Sequence, residues 1–216
     1  MRDAFHKELE AIDQEIVRMG ALIEKSTEET TTALVECNKA LAQRVMDGDE
    51  AIDEMFLDIE KRSLTLMAQQ APVAGDLRLI VAILRVNNDL ERAGDLAYNI
   101  AKLVHLEDFR EPSPKAVKSL VSELGLAAGR LMSNAIDVWA SKDEAYAAGL
   151  QQQDDAVDDL HARLINELLQ LKDEAAIPSA IRLAMVGRYF ERIADHAVNV
   201  GELVCYYVTG DEAHLG

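Results

Sequence analysis

Two stretches of the chain, 91–104 and 191–204, carry the same polar side chains at the same spacing. They read ERAGDLAYNIAKLV and ERIADHAVNVGELV, and they share the order E-R-x-x-D-x-x-x-N. Glu, Asp and Asn at successive intervals of four lie on one stripe of a helix. Two carboxylates and an amide oxygen in a row suit a hard cation. The repeat therefore predicts two cation sites, with the candidate ligands Glu91, Asp95, Asn99, Glu191, Asp195 and Asn199.

A second pair of matching segments lies upstream of each of these stretches. The segment DEAIDE at 49–54 aligns with DDAVDD at 154–159. Each segment supplies two acidic side chains four residues apart, which again share a helix face. The candidate ligands added in this way are Asp49, Asp53, Asp154 and Asp158. Asp49 also has a simpler interpretation as a helix N-cap, because it follows Gly48.

The two acidic pairs of each repeat are expected to lie level with one another. If the chain turns near residue 73, the pair centred on 51 is 22 residues before the turn and the pair centred on 93 is 20 after it. Around a turn near 175, the corresponding separations are 19 and 18 residues. At ~1.5 Å per helical residue these differences are only about 2–3 Å. Each antiparallel hairpin should therefore bring four carboxylates together.

Four facing carboxylates repel one another unless positive charge lies among them. Arg92 and Arg192 supply part of that charge if they form salt bridges along the helix. A metal ion supplies it more completely, and carboxylate and amide oxygens suit magnesium, manganese or iron. The metal ions predicted here are divalent or trivalent. Because several carboxylates are available to bridge neighbouring ions, each site could also hold a multinuclear metal cluster.

Composition narrows the class of protein to which these sites belong. The formal charge of −17 and the pI near 4.6 argue against nucleic-acid binding and against docking on an anionic membrane. They suit cation binding, a basic protein partner, or simply solubility. No apolar run approaches the ~20 residues that span a bilayer, and the polar N-terminus shows no signal peptide. Two widely separated cysteines, Cys37 and Cys205, predict reduced buried thiols and a cytoplasmic location.

Hydrophobic periodicity predicts an all-α fold. An apolar stripe with steps of three and four residues opens the chain, at Phe5, Leu9, Ile12, Ile16, Met19 and Ile23. Breaks at Gly48, around Pro72 and Gly75, and at Pro178 separate the elements. The predicted helices cover about residues 2–47, 49–70, 76–107, 115–148, 151–171 and 178–208.

The repeat divides these six long helices into two pseudosymmetric three-helix bundles that arose by internal duplication. The EPSP stretch at 111–114 is the predicted linker, which gives a first repeat at 1–111 and a second at 112–216. An amphipathic first helix of this length either forms a homodimer or packs within the chain, and the sequence leaves both open.

Together these motifs resemble those of the PhoU family, the phosphate-specific transport system accessory proteins. Both repeats carry the E-R-x-x-D-x-x-x-N block, and the four acidic pairs at 49/53, 91/95, 154/158 and 191/195 fit the pattern E/D-x-x-x-D. Residues 69–78, QQAPVAGDLR, are similar to the family's QQP-x-A-x-DLR segment. The second repeat has AIPS at 176–179 and lacks the DLR stretch, so a role tied to that segment is expected in the first repeat alone.

The resemblance implies a cytoplasmic regulator of phosphate uptake that is not an enzyme and has no catalytic residues. It implies metal binding, with iron clusters in some members, through the E/D-x-x-x-D motifs. It also implies two protein partners, the ATPase subunit of the phosphate transporter and the phosphate-sensing histidine kinase, both damped when phosphate is plentiful. Such a protein reaches the membrane only through these partners, and the sequence does not indicate which residues bind them.

Two alternatives remain open from the residues alone. A ferritin-like di-iron enzyme needs Glu-x-x-His on two helices. This chain has no such motif at the matching positions, and the nearest is Asp158 to His161, in one repeat. A metal-independent helical adaptor would use the acidic pairs only to specify packing. His196 is matched by Leu96 in the first repeat, so the repeat symmetry does not support a role for this histidine.

Overall fold

Helices account for most of the residues that the structure, a computed structural model, describes: 2–69, 72–106 and 115–215. The helices are α1 (Arg2–Glu36), α2 (Lys39–Gln69), α3 (Ala74–Leu106), α4 (Lys115–Ser141), α5 (Glu144–Ala147), α6 (Leu150–Leu169) and α7 (Ile177–Thr209). Short 3₁₀ turns occupy Glu174–Ala176 and Glu212–Leu215. No strand occurs within the described ranges. The predicted all-α fold is confirmed, with α5 as a single extra turn.

The boundary between α1 and α2 lies at Cys37 and Asn38, so the prediction of one helix to residue 47 was wrong. Cys37 adopts a left-handed φ of 54°. The Asn38 amide donates to the Ala33 carbonyl at 2.8 Å, which closes the C-terminus of α1. The Asn38 side chain then accepts from the Leu41 amide at 3.0 Å and caps α2. Gly48, the predicted break, instead lies inside α2.

The second repeat turns at the equivalent place, which also corrects the predicted fourth helix at 115–148. Lys142 has a φ of 54°, the same as that of Cys37, and the two residues are 105 positions apart in the chain. The Asp143 side chain accepts from the Tyr146 amide at 3.1 Å and caps α5. Local hydrogen bonds of Asn and Asp therefore end the first helix in both repeats, although the apolar stripe continues beyond them. Cys37 accordingly lies in a turn and is half-buried, whereas Cys205 is buried in α7.

A twofold pseudosymmetry relates the two repeats where α1 crosses α4. A Cβ atom on Gly20 would meet Ile136, and a Cβ atom on Gly125 would meet Thr31. Gly125 is the repeat equivalent of Gly20, and Ile136 is the equivalent of Thr31. Such reciprocal contacts identify a twofold operator, which the sequence had not specified.

The central layer of the molecule is formed by α3 and α7, which run antiparallel. The C-terminal Gly210 of α7 lies beside the side chain of Arg78 near the N-terminus of α3. On the outside of this layer, α2 packs on α1 and α3, and α6 packs on α4 and α7. The helices share one continuous apolar core, in which Trp139 and Phe190 are completely buried. The two three-helix units therefore pack extensively against each other.

The predicted apolar stripe of α1 is buried in this core, so α1 packs within the chain. The predicted linker at 111–114 and the division between the repeats at 111 and 112 lie outside the described residues. None of the helices in the described ranges has the length and hydropathy needed to cross a membrane.

Candidate functional site

The packing of α2 on α3 places the predicted acidic pairs of the first repeat level with one another. Ile52 lies between Asp49 and Asp53 in sequence. A Cβ atom added to Gly94 of α3 would lie 3.4 Å from the Ile52 side chain, so α2 and α3 are in contact at this level. Gly94 lies between Glu91 and Asp95 in sequence. Because the helices are antiparallel, Asp49 comes opposite Asp95 and Asp53 comes opposite Glu91. We name these four residues the first cluster.

Burial, and repulsion among neighbouring carboxylates, raise the pKa of three residues of the first cluster, Asp49, Glu91 and Asp95. Burial, together with the smaller effects of the charges of Asp53, Asp95 and Glu91, raises the pKa of Asp49 to about 6. Burial also raises the pKa of Glu91, with Asp95 and Asp53 adding to the effect and Arg92 opposing it. The pKa of Asp95 is raised by burial and then by Asp53. The four acids therefore form one electrostatic unit, in which Arg92 is a partial counterion.

The packing of α6 on α7 repeats this arrangement. Added Cβ atoms on Gly187 and Gly201 would meet Leu164 and Leu150 respectively, so these glycines are points of close contact between the helices. Between the two contacts lie the four predicted carboxylates of this repeat, which we name the second cluster: Asp154, Asp158, Glu191 and Asp195. The shorter second hairpin keeps the level alignment that the sequence predicted.

The second cluster is the more buried of the two. Burial, together with the smaller effects of the charges of Asp158 and Asp195, raises the pKa of Asp154 to about 6. The pKa of Glu191 is raised by burial and by Asp195, while Arg188 opposes the rise and donates to Glu191 Oε1. Arg188 rather than the expected Arg192 therefore makes the ion pair.

Two buried carboxylate oxygens of the second cluster have no hydrogen-bond partner among the residues that the structure describes. They are Asp154 Oδ1 and Glu191 Oε2, on residues that are only 6% and 8% exposed. Buried oxygens without partners are costly, and a bound cation is one way to satisfy them. The donor set thus fits a metal ion chemically. In the described part of the chain, however, no three His, Cys, Asp or Glu side chains are already arranged around one metal position, so binding would require side chains to rotate.

The two predicted asparagine ligands have different environments. Asn199 Nδ2 donates to Asp89 Oδ1 at 2.9 Å, across the contact between α3 and α7. Asn99 is half-buried and makes no side-chain hydrogen bond within the described residues. Asn199 therefore has a structural partner already, whereas Asn99 does not. Metal ligation by either asparagine stays a prediction.

A buried Asp89–His196 pair was missed by sequence reasoning. His196 Nδ1 lies 2.8 Å from Asp89 Oδ1, the oxygen that also accepts from Asn199. The side chains of His196 and Asp89 are 9% and 16% exposed. Repeat symmetry pointed away from both residues, because their equivalents are Leu96 and Tyr189. The only feature of the sequence that could have indicated the pair is that the polar His196 interrupts an apolar helical segment in the second repeat, where the first repeat has Leu96.

The pair lies between the two clusters. His196 and Asn199 line a groove with Asp154 and Asp195 of the second cluster, and they also line a neighbouring groove with Arg92 of α3. The charge of His196 lowers the pKa of Glu91 in the first cluster, against the larger effect of burial. Both clusters therefore lie near the α3–α7 contact, where the two repeats meet.

The fold and the clusters define a class: all-helical proteins built from two pseudosymmetric three-helix repeats, each with an acidic hairpin. The family model of the PhoU domain matches this chain twice, at residues 16–104 and 121–204. The chain belongs to the PhoU family.

Relatives and solved structures agree with this assignment. The phosphate-specific transport system accessory protein PhoU homolog 2 of Mycobacterium tuberculosis is 34% identical over 97% of this chain and 99% of its own length. The crystal structure of PhoU from Pseudomonas aeruginosa is similar with a TM-score of 0.90 and 32% identity, over 96% of this chain and 100% of that one. The phosphate transport system regulatory protein PhoU from Streptococcus pneumoniae gives a TM-score of 0.87 and 25% identity, over 96% and 98%.

Proposed function

We propose that this protein is a cytoplasmic, non-enzymatic regulator of phosphate uptake and phosphate-starvation signalling. The observation that carries the proposal is near full-length similarity to a protein named as a phosphate-specific transport system accessory protein, together with the same fold as a phosphate transport system regulatory protein. Its proposed partners are the ATPase subunit of the phosphate transporter and the phosphate-sensing histidine kinase. Docking shifts the conformational population of the partner and damps its activity when phosphate is plentiful.

Metal binding is the second part of the proposal. The first cluster with Asn99, and the second cluster, hold divalent or trivalent ions such as iron, manganese or magnesium, as single ions or as multinuclear clusters. A bound cation supplies positive charge that removes the repulsion among the carboxylates. The chain's own contribution is to hold each α2–α3 or α6–α7 hairpin in register, so that ion binding orders the face presented to a partner.

Metal analysis tests this second part. The protein is purified without chelator or metal-binding tag, as wild type, as Glu91→Ala/Asp95→Ala and as Glu191→Ala/Asp195→Ala. We expect bound metal that falls by about half in each variant, because each repeat has its own cluster. A metal-free wild type whose stability does not respond to iron, manganese or magnesium would contradict metal binding.

Uptake measurements test the regulatory part. Cells lacking the protein should take up more phosphate than wild-type cells when phosphate is plentiful, and the wild-type gene should restore the damping. Binding of the purified protein to the transporter ATPase and to the sensor kinase is measured in parallel, with and without metal. Unchanged uptake together with no binding to either partner would contradict the proposed function.

A metal-independent adaptor is the second candidate, and two observations favour it. No three potential ligand side chains of the described residues are arranged around one metal position, and Arg188 already neutralises part of the second cluster. The adaptor predicts partner binding that is indifferent to metal removal. Whether the protein forms a homodimer stays a prediction in either case, and sedimentation of the purified protein measures it.

A further inference from the structure

A small cavity lies where the C-terminal end of α1 meets the first turns of α4. Its lining includes apolar side chains of both helices, the cysteine of the turn after α1, and one lysine: Leu34, Val35, Cys37, Val117, Lys118 and Val121. Leu34, Val117 and Val121 are buried, whereas Val35 is 42% exposed. Lys118 is exposed as well. The cavity therefore has an apolar floor and an open rim that carries a positive charge.

The pseudosymmetry relates this cavity to a place in the second repeat that is filled. Equivalent residues of α1 and α4 lie 105 positions apart, so Leu34 corresponds to Trp139, which is completely buried. Cys37 corresponds to Lys142. The Nζ atom of Lys142 lies 3.5 Å from the centre of the Trp139 ring and 2.8 Å from Asp13 Oδ1. An indole ring and a lysine stem thus occupy in the second repeat the place that is open in the first.

Two further differences between the repeats also open the cavity. Val117 and Val121 correspond to Ile12 and Ile16, which are completely buried. Each valine has one methyl group fewer than its isoleucine counterpart. Val35 is larger than its alanine counterpart, but it lies at the exposed rim. Because protein cores are close-packed, smaller side chains at four equivalent positions leave a space that the described residues do not fill.

The charge at the rim is reversed between the repeats. Lys118 corresponds to Asp13, so the cavity has a cation where the filled place has an anion. Within the described part of the chain, Lys118 makes no ion pair. Lys115 lies one turn before it and is also exposed, while the exposed Glu36 beside Cys37 offsets part of this charge. The rim therefore favours an anionic group next to the apolar floor.

We propose that this cavity is a docking site for a partner protein, and that it receives an aliphatic side chain such as leucine that stands next to an aspartate or glutamate. The apolar floor takes the side chain, and Lys118 pairs with the carboxylate. Trp139 and the stem of Lys142 show, in the second repeat, how such a place is filled. The inference rests on the proposed function only for the identity of the partners, the transporter ATPase and the sensor kinase.

Transplanting the filled arrangement of the second repeat into the first closes the cavity. The variant Cys37→Lys/Lys118→Asp introduces the equivalents of Lys142 and Asp13. Both positions are at least partly exposed, and Lys142 already adopts the φ of 54° that residue 37 requires, so the variant is expected to fold. Its affinity for the ATPase subunit or the kinase should fall by about tenfold or more, because the anchoring side chain loses its pocket.

A small probe tests the cavity without either partner. Wild-type protein labelled with ¹⁵N is titrated with 4-methylpentanoate, which combines a leucine-like group with a carboxylate. The neutral 4-methylpentanamide and the cationic 4-methylpentylamine are the matched compounds. The carboxylate should shift the backbone amide signals of residues 34, 37, 118 and 121 most and the amine least. In the transplant variant these shifts should disappear.

Single variants separate the contributions of charge and shape. Lys118→Asp should lower the partner affinity by about threefold, with an effect that shrinks as salt is added. Lys115→Asp changes a lysine outside the cavity lining and should have a smaller effect. Cys37→Ser should leave binding of the probe and of the partners unchanged, because the thiol is not required.

Partner binding by the transplant variant that equals wild-type binding would overturn the inference, whether or not the probe binds. An amine that binds as well as the carboxylate would also overturn it. So would altered signals of the cavity residues in Phe109→Ala without any partner, because a segment of the chain outside the described residues then fills the cavity. A transplant variant that changes only sedimentation would assign the cavity to a second copy of the chain instead.

Failure of the regulatory role is distinguishable from failure of this inference. Wild-type protein that binds neither partner contradicts the regulatory role, and the probe titration then decides about the cavity. Carboxylate-specific shifts that the transplant variant loses would support the cavity as a site for an apolar group beside an anion. The absence of such shifts in the wild type would overturn it.

Discussion

At the scale of single residues, the most informative groups are the two carboxyls whose pKa is raised to about 6, Asp49 and Asp154. Burial and the neighbouring acids disfavour the ionised form in the folded protein. Below pH 4 each carboxyl is protonated in both the folded and the unfolded states and does not lower the free energy of unfolding. As the pH rises from about 4 to about 6, the unfolded state loses the proton before the folded state does, so the free energy of unfolding falls. Above pH 6 this destabilisation is complete and stays constant.

Asp154→Asn should therefore stabilise the metal-free protein near neutral pH. The expected gain in the free energy of unfolding is about 1–2 kcal/mol above pH 6, since a shift of one pKa unit corresponds to ~1.4 kcal/mol. The gain should shrink as the pH falls from 6 and vanish near 4. Denaturant unfolding of the chelator-treated wild type and variant at several pH values measures it.

The matched control for that prediction is Asp155→Asn on the same helix. Asp155 is exposed, and its substitution should change the free energy of unfolding by less than about 0.5 kcal/mol. A loss of stability in Asp154→Asn at pH 7 would show that the buried carboxylate has a stabilising partner in the metal-free protein.

At the scale of elements, the ends of the first helix of each repeat depend on local capping rather than on the apolar stripe. Stripe positions continue through Cys37 to Leu41 and Val45, and the latter two are indeed buried. They are buried on α2, however, after the turn at Asn38. A stripe of this kind reports which residues face a core, but not whether one or two helices carry them.

Gly48 provides a direct test of the boundary. It lies within α2, and nothing lies within 4 Å of the position its Cβ would take. Gly48→Ala should raise the free energy of unfolding by about 1 kcal/mol through helix propensity. Thermal or denaturant unfolding measures the change, and a destabilised variant would support a turn at residue 48 instead.

Asn38 tests the same boundary from the other side. Asn38→Ala removes the side-chain acceptor for the Leu41 amide and should lower the free energy of unfolding by about 1 kcal/mol. Asn38→Asp and Asn38→Ser are the conservative comparisons, because both retain a capping oxygen. Equal stability of all three variants would mean that the cap contributes nothing.

At the scale of the whole molecule, the two repeats are held together by close contacts that involve glycines. A Cβ on Gly125 would clash with Thr31 Oγ1 and would lie 2.9 Å from the Phe190 ring. These neighbours belong to α1 and α7, and both side chains are buried. The glycine is therefore required by the approach of helices from both repeats.

Gly125→Ala should lower the free energy of unfolding by about 1–3 kcal/mol, because the buried neighbours have to shift. Gly129→Ala, one turn later on α4, is the control: its Cβ would meet Thr27 at an ordinary 3.7 Å. That variant should be neutral or more stable by up to about 1 kcal/mol. If both variants behaved alike in denaturant unfolding, the contact of α4 with α1 and α7 would be looser than described.

The sequence by itself determined the helical class, the duplication, and the acidic pairs at 49/53, 91/95, 154/158 and 191/195. These follow from periodicity and from equal distances to each turn, which are local properties of helices. Only the tertiary structure decided the twofold operator, the antiparallel α3–α7 layer, and the Asp89–His196 contact between repeats. Contacts between distant segments depend on how helix faces meet in three dimensions, and internal symmetry conceals any site that one repeat has and the other lacks.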